Sequence, residues 1–183
     1  MLPSVSVCIM VFIALTPLYL LGRLLWRQGR GGSAIPKEKE RAREIGLLFF
    51  FLYLVFLLLA TLWGDWDRYD NFTDLLHYAK WRIDIDYGIN LEPFATIKRF
   101  YRYRTVNSRL FYTNVIGNCV LFIPLGFGIP KLWKKKYSIP ATILLAIVLP
   151  CIIEFLQLFI GRQVDVDDIL LNFMGVMIGL MVH

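Results

Sequence analysis

The chain has 183 residues, of which 57% are hydrophobic, 15% aromatic and only 19% charged, with a mean hydropathy of +0.58. A soluble domain of this length carries roughly a quarter charged residues spread among apolar ones; here the apolar residues come in blocks, which excludes that class. The 20 Lys and Arg outnumber the 14 Asp and Glu, but they flank those blocks, a pattern that orients membrane helices and gives no reason to expect nucleic acid as a partner.

The aromatic content excludes disorder over most of the chain. Cys8, Cys119 and Cys151 lie inside apolar runs without CxxC spacing, and the two histidines, His77 and His183, cannot make an HExxH pair. A disulfide framework or a zinc site is therefore not expected, and no cofactor is expected.

A spanning helix needs about 20 mostly apolar residues to cross a hydrocarbon core of roughly 30 Å. The blocks predict about five spans, at 5–25, 45–63, 111–129, 139–160 and a short one at 168–182. The expected fold class is an all-α polytopic membrane helix bundle, with residues 1–183 forming one transmembrane domain. Basic residues follow the first span rather than precede it, so it reads as a retained helix and not as a cleaved leader.

The next loop holds Arg23, Arg27, Arg30, Lys37, Lys39, Arg41 and Arg43 around a glycine-rich stretch at 29–33. The positive-inside rule places it in the cytoplasm, together with Lys131, Lys134, Lys135 and Lys136, which lie two spans further on. The N-terminus is then outside and the C-terminus cytoplasmic, with residues 64–110 and 161–167 on the outer face. Trp63, Trp66 and Tyr69 at one boundary, and Trp26 and Trp133 at the other, fit interfacial aromatic belts. In the outer loop, Phe94, Ile97, Phe100 and Tyr101 recur at helical spacing, and Pro93 suits a first helical turn. This predicts a surface amphipathic helix; a lid folded onto the loop itself stands as the alternative.

Polar residues inside the spans carry the functional signal, because burying them in hydrocarbon is costly. By helical rise, Asn118 lies about 10 Å from the outer end of its helix, Glu154 about 9 Å and Asn172 about 6 Å. Asn114 and Asn118 share a face, as do Glu154 and Gln157, and Asp168 and Asn172. Arg109, Arg162 and Asp165 would stand above this level, so that Glu154 either pairs with Arg162 or Arg109 or is protonated by desolvation. The expectation is a water-accessible polar pocket opening outward, with Glu154 at its floor. The plain alternative is interhelical hydrogen bonding, which suffices for the isolated amides but not for an ionisable group.

Pro124, Gly126, Gly128 and Pro130 in the third span predict a kink or break, passive or acting as a hinge. Gly175 and Gly179 predict close helix packing. In the run from Arg162 to Asp168, clustered carboxylates suit a divalent cation, but the spacing is not that of an EF-hand. The competing role is capping of the last helix by Asp167 or Asp168. No nucleophile–base pair, P-loop or dinucleotide fingerprint is present.

These residues resemble the VanZ-like family: residues 118–130 (NCVLFIPLGFGIP), then Glu154-x-x-Gln157, then Arg162-x-x-Asp165-x-x-Asp168-x-x-x-Asn172-x-x-Gly175. Leu91-x-Pro93-Phe94 and Asn114 also fit the pattern, whereas Cys151 departs from the small hydroxyl residue expected there. The resemblance implies a multi-pass protein of the bacterial cytoplasmic membrane linked to low-level resistance to teicoplanin-type glycopeptides. A phosphotransbutyrylase label that travels with relatives fits poorly, since such an enzyme needs a soluble nucleotide-sized site.

The function expected is binding. The outer pocket of Glu154, Gln157, Arg162, Asp165, Asp168, Asn172, Asn118, Asn114 and Arg109 would engage a membrane lipid, a lipid-linked cell-wall precursor or a lipoglycopeptide. Two other readings stay open. One is a membrane-embedded enzyme modifying an envelope lipid, with Glu154 or Asp168 as base and Arg162 stabilising an anion. The other is a small transporter or flippase, which with so few helices would need to form a homo-oligomer.

Overall fold

A computed structural model of the chain describes residues 4–28, 37–63, 70–103, 108–133 and 138–183. The glycine-rich stretch 29–33, Trp66, Tyr69, Lys134, Lys135 and Lys136, on which part of the predicted topology rests, lie outside the described residues. Among the described residues four helices are long and apolar enough to cross a membrane, and the molecule is an all-α membrane bundle. They are α1 (Val5–Gln28), α2 (Lys37–Leu62), a long third helix ending at Trp133, and α7 (Ser138–Phe159). The fifth expected span is α8 (Val166–Met181). Its 16 residues rise about 24 Å, short of a full hydrocarbon core.

The chain divides into two compact units, Met1–Ala60 and Thr61–His183. In the first, α1 and α2 form an antiparallel hairpin. Tyr19 stacks on Phe51 with ring centroids 4.6 Å apart, and the Arg23 guanidinium meets Glu44 in a two-point ion pair, Nε to Oε2 at 3.0 Å and Nη2 to Oε1 at 2.5 Å. Arg23, one of the residues assigned to the basic loop, is thus engaged by a carboxylate of the next helix. That helix begins well before residue 45 because the charged run KEKERARE is itself helical, with Glu38 and Glu40 at its positive end.

The second unit is built on α6 (Gly117–Trp133) and α8. A Cβ placed on Gly175 would lie 2.0 Å from the Cys119 carbonyl oxygen, one on Gly179 2.1 Å from that of Ile123, and one on Gly126 2.0 Å from that of Val176. Only glycine permits backbones this close, which is how helices gain van der Waals contact where no hydrophobic drive exists between them. Because contacts advance by four residues on both helices, α6 and α8 run parallel. Phe122, Leu125, Ile153 and Val176 fill the space they share with α7.

The third span is regular where a break was expected. Helix α6 runs through Pro124 and Pro130 without interruption. The irregularity lies earlier: α5 (Ser108–Phe111) leads into a π-helical turn, Tyr112–Ile116, that joins α6 directly. Widened turns of this kind recur at functional sites.

Residues 70–103 form a segment not foreseen in detail. Helix α3 (Phe72–Asp84) starts at Asn71, whose side-chain oxygen accepts the Asp74 amide at 2.9 Å, the usual cap for exposed helical N–H groups. A two-residue strand, β1 (Ile89–Asn90), pairs in parallel with β2 (Val164–Asp165). Helix α4 (Ala95–Tyr103) follows. It begins after the residues expected to open it: Pro93 precedes it and Phe94 sits at a positive φ of 67°.

Candidate functional site

The sequence gives no hint that Arg82 matters, since it reads as one charge among many in a balanced loop. In the structure it is 1% exposed and ties the end of α3 and the turn at Tyr87 and Gly88 to the end of α7. Its Nη1 donates to the carbonyls of Leu158 (2.7 Å) and Gln157 (3.3 Å) at the C-terminal end of α7. Its Nη2 donates to Arg162 O (2.5 Å) and Gly88 O (3.2 Å), and its Nε to Tyr87 O (3.2 Å). A helix C-terminus presents unsatisfied carbonyls and partial negative charge, so a cation with a rigid fork of donors matches it. Gly88 makes this approach possible. Its φ of 69° favours glycine, and a Cβ there would stand 2.9 Å from Arg82 Nη2.

The acidic run after α7 forms a latch. Asp165 is extended, at φ −139° and ψ 121°, and its Oδ1 accepts the Asp167 amide at 2.9 Å, which makes it the cap of α8. The same oxygen accepts Asn90 Nδ2 at 3.0 Å, and Asn90 also reaches Thr96 Oγ1 at 3.1 Å. The capping role expected of Asp167 or Asp168 therefore belongs to Asp165. Asp167, with no exposed surface, caps a different helix: its two oxygens accept the amides of Phe94 (2.5 Å) and Ile97 (3.0 Å) at the start of α4. A carboxylate on α8 thus satisfies a helix some seventy positions earlier in sequence, which spacing could not reveal.

The residues expected to form the pocket divide into three sets. Glu154 is buried on α7, and its Oε2 accepts the Asp165 amide at 2.8 Å. The pairing expected with Arg109 or Arg162 gives way to this backbone bond, because β2 brings an amide directly over the carboxylate. Asp168, Asp165 and Arg162 all act on Glu154 electrostatically. On the second helix pair, Asn118 Nδ2 donates to Asp168 Oδ1 at 2.7 Å, tying α6 to α8. Asn172, one turn further along α8, is buried with its Oδ1 unpartnered.

The second set holds the end of α2. Gln157 Nε2 donates to Thr61 O at 2.9 Å and Arg162 Nη1 to the same oxygen at 3.2 Å. The third set stands apart. Asn114 lies in the π-helical turn with its Nδ2 3.4 Å from the hydroxyl of Thr113, and Arg109 is exposed on α5. Glu154, Asp165, Asp168, Asn118 and Asn172 are thus drawn together on α6, α7 and α8, while Gln157 and Arg162 face Thr61. Among the described residues no group of three His, Cys, Asp or Glu side chains is arranged to hold a metal ion.

Apolar helices of spanning length, glycine-tight packing and acidic and amide side chains buried among them define a polytopic membrane protein with a polar centre inside its helical unit. A family model described as VanZ/LLP1 matches residues 47–183, which include all of these polar residues. The chain belongs to the VanZ/LLP1 family. No curated protein and no solved structure matches it.

Proposed function

We propose that this protein acts in the bacterial cytoplasmic membrane, with its N-terminus outside, as a binding protein whose polar centre opens outward. Its ligand is a lipid-linked or acyl-bearing envelope molecule, and engaging that ligand lowers susceptibility to teicoplanin-type glycopeptides. The observation that carries this reading is the incomplete satisfaction of the buried polar groups. Asn172 Oδ1 has no partner, and among the described residues Glu154 Oε1 and Asp168 Oδ2 make no hydrogen bond. A buried polar atom costs about 1–3 kcal/mol when unmade, so Asn172 Oδ1, beside two acids that each keep an unengaged oxygen, points to a guest that completes it.

The test compares teicoplanin and vancomycin susceptibility in cells expressing the wild type or Glu154→Gln at equal membrane levels. Protection against teicoplanin alone, lost in the variant, supports the reading, because vancomycin lacks the acyl tail. Equal shifts for both drugs, or full protection by the variant, would reject it.

A further inference from the structure

The groups left over in the polar centre are all of one kind. The donors at this level are engaged: Asn118 Nδ2 on Asp168, the Asp165 amide on Glu154, the Asp167 amide on Asp165, and Arg162, which acts on both Glu154 and Asp168 electrostatically, with its Nη1 on Thr61 O. What remains is acceptors, namely Glu154 Oε1, Asp168 Oδ2 and Asn172 Oδ1, two of them on carboxylates. Asn172 is 3% exposed, so bulk water does not serve it. Its direction follows from α8: Asp168, Asn172, Gly175 and Gly179 are spaced four, three and four apart, which places them on one stripe. Asp168 on that stripe bonds Asn118 of α6, and both glycines lie against the α6 backbone. Asn172 therefore faces α6 beside Asp168, next to the π-helical turn that packs on α8.

A surplus of acceptors selects a donor, and two carboxylates select a positive one. We infer that the ligand of this centre, which rests on the binding reading above, presents a primary ammonium group to Asp168, Asn172 and Glu154. An ammonium carries three donors and no acceptor, one for each of the three oxygens. A hydroxyl supplies a single donor for three oxygens and no charge, although several acids here, Glu154, Asp165 and Asp168, act on one another beside Arg162. A guanidinium brings five donors, more than the three oxygens here can accept. A divalent metal fits less well, since no three acidic or imidazole groups are arranged around a common point among the described residues. Charge-assisted hydrogen bonds are roughly twice as strong as neutral ones, so acylating the amine should remove most of the preference.

Two envelope molecules offer such an amine beside a lipid chain: an aminophospholipid headgroup, and the side-chain amine of a lipid-linked wall precursor. The experiment uses the full chain in phosphatidylglycerol nanodiscs doped with one of four lipids: phosphatidylethanolamine, its N-acetyl derivative, a lysine-bearing lipid-linked precursor, or that precursor acetylated on lysine. Retained lipid is read by native mass spectrometry. At least one amine lipid is expected to be retained roughly tenfold over its acetylated twin, and the arm that shows it names the source. Asp168→Asn and Asn172→Leu should bring that ratio to within about twofold while helix content and melting are kept. The paired lipids test the charge without any variant, so a misfolded substitution does not blunt the result. Retention in which neither amine lipid exceeds its acetylated twin overturns the ammonium assignment and leaves the binding reading standing. Retention of none of the four above background overturns both.

Discussion

Replacing Arg82 is the sharpest test of how the 70–103 segment is held. Of its five hydrogen bonds, those to Leu158 O (2.7 Å) and Arg162 O (2.5 Å) are short, and the other three are 3.2–3.3 Å. In Arg82→Met the Leu158 carbonyl at the end of α7 loses its short bond from Arg82, whereas Gln157 O still accepts the Arg162 amide. Two strong bonds to a charged donor contribute about 1.5–3 kcal/mol each, and they are not additive. A loss of about 3–5 kcal/mol is expected, the range seen when a buried charged group is removed from its partners. Lysine keeps the charge but not the fork, so Arg82→Lys should cost about 2 kcal/mol. Detergent-solubilised protein unfolded in increasing SDS and followed by circular dichroism reads the change, and limited proteolysis reports whether residues 70–103 come loose. The neighbouring Ile83, 57% exposed, is the control: Ile83→Ala should stay within about 0.5 kcal/mol. If Arg82→Met unfolds within about 0.5 kcal/mol of wild type and the segment is no more readily cleaved, Arg82 does not hold it.

Two further substitutions probe separate parts of the second unit. Gly175→Ala should push α8 from α6 and cost about 1–3 kcal/mol in the same unfolding assay, whereas Gly22→Ala, with no atom within 4 Å, should be neutral or stabilise by about 0.5–1 kcal/mol. Equal effects at both positions would contradict the tight backbone contact. Asp167→Ala removes both acceptors for the α4 amides and should cost about 1–2 kcal/mol with faster amide exchange at Phe94 and Ile97; unchanged exchange there would refute the cap.

Which acid caps which helix shows where reading along the chain stops. Asp165, Asp167 and Asp168 are near neighbours in a run that looks like a single cap. Yet Asp165 caps α8, Asp167 caps α4, and Asp168 bonds Asn118. The divergence arises because Asp165 lies in the strand paired with β1, whereas Asp167 and Asp168 are successive residues of α8 and so point about 100° apart around it. Glu154 behaves similarly. Its apolar surroundings mark it as unusual, but its partner is an amide brought over it by a strand pair that no local pattern announces.

Apolar block length and basic flanks suffice for the membrane class, the positions of the long helices and the small-residue face of α8, because hydrocarbon thickness and backbone hydrogen bonding constrain these locally. The VanZ/LLP1 family was likewise legible in the spacing of polar residues across the last three helices. The structure alone decided that Pro124 leaves α6 unbroken, that α6 and α8 run parallel in backbone contact, and that Arg82 secures residues 70–103 to the end of α7. Each of these depends on atoms distant in sequence meeting at hydrogen-bond or van der Waals range, and periodicity along one segment carries no record of the partner across from it.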